Sequence, residues 1–321
     1  MESYPFVSII ILSYNGMSYL ENCLNSVMDQ DYPRHRYEII VADNGSTDNS
    51  VSFLESKYEK DITLVKFGIN NGFAKGNNLA VKYAKGDLLV FLNQDTIVHN
   101  QWLSALVKGI HDNNYDVCHS NMLFPRNAEF EKAYKREFPE NIYYYELTKY
   151  GYVNQVIKNH NEGTISTRAI AGGSFIIKRS VLGEIEYLFD EKFGMYNEDT
   201  DLALRLSQEG FTIGVVPSSV VYHFTSFNFK FNKNNIWKNL IMIRNRMMAY
   251  WKALKREDFI YFLPYLIFSQ SHKTFTRSVE VKNGIIKSIL LATSVMPLSI
   301  ISFIWFISSI LKEAIIKGQY I

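Results

Sequence analysis

The sequence predicts an α/β protein built on a doubly wound, mostly parallel sheet. Three observations carry this. Apolar, β-branched runs alternate with segments in which apolar residues recur at helical spacing. The runs are near-continuous rather than alternating, as expected of strands covered on both faces. Turn chemistry separates them.

Val7-Ser8-Ile9-Ile10-Ile11-Leu12 is the first predicted strand, and Leu20, Leu24, Val27 and Met28 mark a helix after it. Glu38-Ile39-Ile40-Val41-Ala42 is the second strand. It is followed by the turn Asp43-Asn44-Gly45-Ser46 and a helix through Val51, Leu54 and Tyr58. Residues 62–67 form the third strand. The turn Asn70-Asn71-Gly72 opens a helix that ends at Gly86, and Leu88-Leu89-Val90-Phe91-Leu92 is the fourth strand. Such a βαβαβαβ order implies right-handed crossovers. Residues 125–168 are polar and aromatic without clear period and read as an irregular insertion. Pattern returns over 169–178, then a helix opens near Asn197 and ends at Gly210. Two short strands, 212–216 and 220–222, follow, and 237–255 reads as a basic amphipathic helix.

The chain has 321 residues, 47% of them apolar, which is ample for a core and excludes a wholly disordered chain. Lys and Arg number 34 against 32 Asp and Glu, so no basic excess points to nucleic acid as a partner. Cys23 and Cys118 cannot make a disulfide framework, so a reducing compartment is expected. The start Met1-Glu2-Ser3-Tyr4-Pro5 lacks the basic region of a secretory signal.

In open α/β sheets, ligands bind beyond the carboxyl ends of the strands. Three such ends carry polar clusters here: Ser13-Tyr14-Asn15, Asp43-Asn44-Gly45-Ser46 and Asn93-Gln94-Asp95-Thr96. Each alone is ordinary turn chemistry. Three on one edge point to a site. No G-x-G-x-x-G or Walker sequence is present, which sets aside the dinucleotide and P-loop readings.

These clusters, with Gly72, Asn77-Asn78 and Gly86-Asp87, resemble the nucleotide-sugar half of family 2 glycosyltransferases. The later Gly172-Gly173, Asn197-Glu198-Asp199-Thr200-Asp201-Leu202, His223 and Arg244-Asn245-Arg246 match that family in order and rough spacing. The resemblance spans about residues 5–250 and lies nearest the bacterial rhamnosyltransferase-like branch. It implies a GT-A fold and inverting, metal-dependent transfer of a sugar from a nucleoside-diphosphate sugar, dTDP-rhamnose or a UDP-hexose, to a glycan hydroxyl.

The roles implied follow the motif positions. Ser13, Tyr14, Asn15, Asp43, Gly72, Asn77, Asn78, Asn93, Gly172 and Gly173 would bind the donor, with Asp43 accepting the N3–H of uracil or thymine. Asp95 stands where the family places the last acid of its D-x-D motif. With His223 it would hold Mn²⁺ or Mg²⁺, which offsets the charge building on the diphosphate leaving group. The first acid of that motif is here Asn93, one charge fewer. Asp199 would be the general base, since an alcohol is a poor nucleophile until its proton is taken. Glu198, beside it, would assist catalysis and, with Asp201, orient the acceptor. Gly172 and Gly173 would let the backbone approach the donor sugar. Trp102 and Tyr196 could wall the sugar, although core packing accounts for either.

Residues 289–311 are 23 without a charge, bounded by Lys287 and Lys312, which is long enough to span a hydrocarbon core of roughly 30 Å. Lys273, Arg277, Lys282 and Lys287 before it outnumber the basic residues after it, which places the large amino-terminal part in the cytoplasm. The expected organisation is a catalytic domain over 1–225, an interfacial helical region over 226–284 and a transmembrane anchor over 285–321. A lipid-linked glycan at the membrane is the acceptor this implies. A sugar nucleotidyltransferase and a catalytically silent membrane scaffold are the alternatives. The first would need a Gly-rich basic loop, and Ser13-Tyr14-Asn15-Gly16 is not one.

Overall fold

The structure, a computed structural model, describes residues 4–125, 133, 135–136, 138–139, 141–147, 153–159, 163–224, 233–254, 258–259, 300–308 and 310. The chain divides into two compact units, residues 1–194 with 198–226, and residues 195–197 with 227–321.

The first unit is built on a sheet whose first strands alternate with helices: β1 (Val7–Ser13), α1 (Leu20–Met28), β2 (Tyr37–Asp43), α2 (Ser50–Tyr58), β3 (Thr63–Lys66), α3 (Phe73–Ala80) and β4 (Leu88–Asn93). There follow β5 (Thr96–Val98), α4 (Trp102–Asp112), β6 (Val117–Leu123), β7 (Asn141–Leu147), β8 (Val153–Asn159), β9 (Ile165–Thr167) and β10 (Ser174–Lys178). Then come α5 (Arg179–Glu184), α6 (Glu198–Gln208) and β11 (Ile213–His223). The sheet order is β3-β2-β1-β4-β10-β6-β11-β5, with β9 on β11.

Successive strand residues point to opposite faces, so one run feeds two cores. Ile9, Ile11, Val41 and Val90 pack with Leu24, Leu54 and Leu106 on one face. Ile10, Ile40, Phe91 and Phe175 pack with Ala74, Val181, Leu202 and Leu206 on the other. That is why the amino-terminal runs read as continuous apolar sequence.

The parallel expectation holds for β3-β2-β1-β4 and for β6 with β11, but the sheet is mixed. β10 lies antiparallel between β4 and β6, with Ser174 opposite Leu92 and Lys178 opposite Leu88. β5 and β9 are antiparallel to β11. The reversal has a consequence for chemistry. The start of β10, just after Gly172-Gly173, lies at the edge where β1, β2, β4, β6 and β11 end.

Two other expectations are corrected. The insertion over 125–168 is not wholly irregular: β7 and β8 pair as an antiparallel ribbon, and Ile142 and Tyr144 of β7 bury against Val215. The aromatic run there is strand chemistry, since aromatics favour a half-buried pleated surface. The strands at 212–216 and 220–222 are one strand, β11, whose register on β6 shifts between Val216 and Val220.

In the second unit, α7 spans Lys233–Ala253. Asn245, fully buried on it, donates through Nδ2 to the carbonyls of Met195 and Tyr196, 2.8 Å each. Among the described residues no helix is long and apolar enough to cross a membrane. Of the expected anchor over 285–321, residues 300–308 are helical and most of the rest lies outside the described residues, as does most of 255–299.

Candidate functional site

The carboxyl edge of the sheet carries the site residues, and a chain of contacts links them. Asp43 ends β2 opposite Ser13, the last residue of β1. Its Oδ2 accepts from the Gly45 and Ser46 amides at 3.1 Å each. Asn15, at φ 47°, locks that loop to β1: its amide donates to Ser46 Oγ at 2.9 Å, and its Oδ1 accepts from the Thr47 amide at 2.8 Å.

Asp95 and His223 meet because β5 pairs with β11, placing Thr96 opposite His223. His223 Nε2 is 3.0 Å from Asp95 Oδ1 and 3.3 Å from Asn93 Nδ2. Burial opposes ionisation of Asp95, but the hydrogen bond and charge of His223 outweigh it and hold the carboxyl below its ordinary range. The turn is braced from beneath. Thr96 Oγ1 donates to the Asn93 carbonyl at 2.7 Å, and the Cys23 thiol, which burial pushes up to about 12, lies against both groups. Cys23 is therefore a packing group, not a nucleophile.

Asp199 sits in the first turn of α6. Its Oδ2 accepts from the Gly172 amide at 3.2 Å and its Oδ1 from the Thr200 amide at 2.7 Å. A Cβ on Gly172 would lie 2.9 Å from Asp199 Oδ2, and one on Gly173 would lie 2.6 Å from Met122 Cε and 3.3 Å from His223 Nδ1. The glycine pair thus makes room for protein side chains, the carboxylate on one side and the imidazole on the other.

Burial raises the pKa of Asp199, while its hydrogen bonds from Gly172 and Thr200 work against the rise. Burial, and then the charge of Asp199, push Glu198 well above the usual carboxylate range. Both carboxyls are thus held above the ordinary carboxylate range, Glu198 the more strongly. Among the described residues, four buried polar atoms without a protein partner lie on this edge, Ser13 Oγ, Asp43 Oδ1, Glu198 Oε2 and His223 Nδ1; others, such as His119 Nε2, lie away from it. Each bond left unmade costs about 1–3 kcal/mol, which a ligand or water at this edge would offset.

Several predicted residues are committed elsewhere. Both ends of the Asn78 amide pair with the Phe189 backbone, at 2.8 and 3.1 Å, so Asn78 holds a loop. Asn77 is buried, with its Nδ2 on the Phe73 carbonyl of its own helix. Asp201 is 1% exposed and takes Arg205 Nε at 2.8 Å, while Arg205 also donates to the Tyr187 and Leu188 carbonyls. It seats α6 and is not open to an acceptor. Gly72, at φ 76°, packs on the Gly194 carbonyl, which also takes the Phe73 and Ala74 amides at the start of α3. Trp102 is fully buried and donates to Ser120 and Ser174, a core role. Tyr14 is exposed, and its backbone pairs with Gln94 of the Asn93–Thr96 cluster, a residue given no role by the sequence.

Among the described residues, no three His, Cys, Asp or Glu side chains converge as a metal cage. Asp95 and His223 nevertheless offer one carboxylate oxygen and one imidazole nitrogen aimed at each other. That donor set would suit a divalent cation, an imidazole nitrogen favouring Mn²⁺ over Mg²⁺. A cavity of about 460 Å³ lies at the opposite end of the sheet, lined by Pro5, Asp87, Lys178 and Arg179. Its cations are spent on Asp116 and on the Ala84 and Gly86 carbonyls, so it has no chemistry to match this edge.

The model of the family described as "Glycosyl transferase family 2" matches residues 8–185. The chain is 33% identical over 123 residues to glycosyltransferase AglE of Haloferax volcanii, covering 37% of this chain and 40% of that protein. It is 30% identical over 113 residues to the poly(ribitol-phosphate) β-N-acetylglucosaminyltransferase TarS of Staphylococcus aureus, covering 34% of this chain and 20% of TarS. These alignments take in less than two thirds of either relative. The structure of S. aureus TarS 1–349 with UDP superposes at TM-score 0.56 and 18% identity, covering 98% of this chain and 92% of that one. The structure of GalNAc-T7 with UDP, GalNAc and Mn²⁺ superposes at TM-score 0.63 and 17% identity, covering 82% and 50%. At these identities the superpositions show a common fold, a GT-A-like α/β domain.

Proposed function

The chain belongs to glycosyl transferase family 2, and from that premise we propose that it is an inverting, divalent-metal-dependent glycosyltransferase. It moves a sugar from a nucleoside-diphosphate sugar to a hydroxyl of a glycan acceptor. The observation that carries the reading is the joint placement of Asp95–His223 and Asp199 around Gly172-Gly173 on one sheet edge.

Asp43 would read the base. Its Oδ1 is buried and unpartnered, and a carboxylate oxygen accepts the N3–H of uracil or thymine but finds no donor on cytosine N3. Ser13 Oγ, its strand neighbour, supplies a second group beside it. Asp95 and His223 would hold the cation. The ion, when bound, offsets negative charge developing on the departing diphosphate. Asp199 takes the acceptor proton: two donors orient its carboxylate, and a pKa above the ordinary Asp range makes it a better proton acceptor than a surface Asp. Transfer is one in-line displacement, helped by holding donor and acceptor together.

The donor is dTDP-rhamnose or a UDP-hexose, and the product part of a bacterial surface polysaccharide. The TarS similarity supports a cell-surface polymer as acceptor, since TarS by its name modifies poly(ribitol-phosphate). The uncharged stretch 289–311 and the basic residues before it support a lipid-linked acceptor and a membrane location, with the catalytic domain on the cytoplasmic side. Deleting residues 285–321 should release the enzyme from membranes. Full retention on membranes would contradict the anchor. Release of nucleoside diphosphate from the two donor classes tests the activity. EDTA should stop it and Mn²⁺ restore it, whereas full turnover in chelator would remove the metal from the reaction.

A further inference from the structure

Gln94 lies between the two polar ends of the Asn93–Asp95 turn, and its side chain turns away from both. The amide closes a two-bond ring with the main chain of Tyr14: the Tyr14 amide donates to Gln94 Oε1 at 3.1 Å, and Gln94 Nε2 donates to the Tyr14 carbonyl at 3.0 Å. Tyr14 is the first residue beyond β1, next to Asn15, which is bonded to Ser46 and Thr47 in the loop that Asp43 organises. Hydrogen bonds and adjacent residues together link Asp43 through Ser46, Asn15, Tyr14 and Gln94 to Asp95, and on to His223.

Gly16 belongs to the same device. A Cβ there would fall 2.2 Å from Gln94 Oε1 and 2.9 Å from its Cδ. Its φ is not in the left-handed region, so what a side chain there would disturb is the seat of the Gln94 amide, not the backbone conformation. Ser50 Oγ takes the Gly16 amide at 3.0 Å and fixes the backbone against that space. Two residues about eighty apart in sequence are thus fitted to each other beneath the binding edge.

We propose that Gln94 is a positioning residue that couples the nucleotide end of the edge to the metal end, with Gly16 as the notch that admits it. Bidentate pairing to a main chain restrains Asp95 relative to the β1 terminus in the way groups behind a metal ligand set its orientation. Nucleotide contacts at Asp43 and Asn15 then favour the Asp95 placement that suits the cation, and cation binding favours the loop placement that suits the nucleotide. Such coupling is reciprocal. The inference rests on the donor and metal roles proposed above.

The experiment is calorimetry of the full chain with whichever of UDP and dTDP binds tighter, at zero and saturating Mn²⁺. Wild type should bind the nucleotide at least tenfold tighter with Mn²⁺. Gln94→Ala should keep its metal-free affinity within about threefold and lose most of the Mn²⁺ enhancement. The companion pair removes the question of folding. Gly16→Ala should lower the melting temperature in the wild-type background and do so much less in the Gln94→Ala background, because the clash partner is gone. An unchanged Mn²⁺ enhancement in Gln94→Ala, or equal harm from Gly16→Ala in both backgrounds, overturns the proposal while leaving the glycosyltransferase reading intact. Failure of wild type to bind either nucleotide overturns both.

Discussion

Asp199 is the residue on which turnover rests. Asp199→Asn preserves the shape and keeps one acceptor oxygen, for either the Gly172 or the Thr200 amide, and removes the basicity. It should fold normally and lose about 10²–10⁴-fold in kcat, the usual range for a lost general base. Circular dichroism and steady-state turnover together check this. Because burial raises its pKa, the acid limb of log kcat/KM against pH should fall above the ordinary Asp range. A base works deprotonated, so activity is lost as pH drops through that limb. Asp43 and Asp95 stand out in the sequence as polar residues at the ends of apolar strand runs, whereas Asp199 and His223 are singled out by the family resemblance and not by pattern. Asn78 and Asp201 were not distinguishable from them. A polar side chain that serves a backbone carbonyl or a buried Arg has the same sequence appearance as one that serves a ligand. The fit of Gln94 to Gly16 could not be read for a different reason, since it depends on the spatial pairing of β1 with β4.

At the scale of the element, α6 is the carrier of Asp199, and Arg205 is what seats it. The guanidinium joins Asp201 to the Tyr187 and Leu188 carbonyls. Arg205→Ala leaves a carboxylate that is 1% exposed without its counter-ion, and breaking such a pair costs about 3–5 kcal/mol. Urea unfolding should show a loss of that order. A change under 1 kcal/mol would mean that Asp201 finds another partner. The Gly172-Gly173 turn is the other element-scale device. Gly172→Ala should push the Asp199 carboxyl from the edge and lower kcat more than it lowers stability, read by turnover beside a thermal melt. Helix and strand order over residues 7–93 could be read from period and turn residues. β5, α4 and β6 were passed over, although Leu103, Leu106, Val107 and Ile110 bury at helical spacing along α4. The direction of β10 could not be read at all, because a short apolar run carries no sign of its orientation.

For the whole molecule, the acid side of the stability curve has an identifiable contributor outside the site. His119 is fully buried in β6, its Nδ1 3.0 Å from the Ser120 carbonyl and its Nε2 without a partner. Burial pushes its pKa down to about 4. Unfolded, it titrates near 6.5. Between those values the unfolded chain binds a proton the native one refuses, so stability falls as pH drops from about 6.5 toward 4. At pH 5 the loss is about 2 kcal/mol relative to neutral pH. His119→Leu should flatten that part of the urea-midpoint profile, and an unaltered slope would exclude His119 as its source. The fold itself follows from two faces of one sheet being filled by helices. The site follows from the edge at which β1, β2, β4 and β11 end and β10 begins.

Incubation of wild type and Asp199→Asn with a panel of nucleotide sugars, with Mn²⁺ and membrane glycan acceptor present, tests that arrangement most directly. Wild type should release nucleoside diphosphate from a dTDP- or UDP-linked sugar, and the variant should release almost none while still binding the nucleotide. Equal release by the two proteins, or a panel left untouched by wild type, would contradict it.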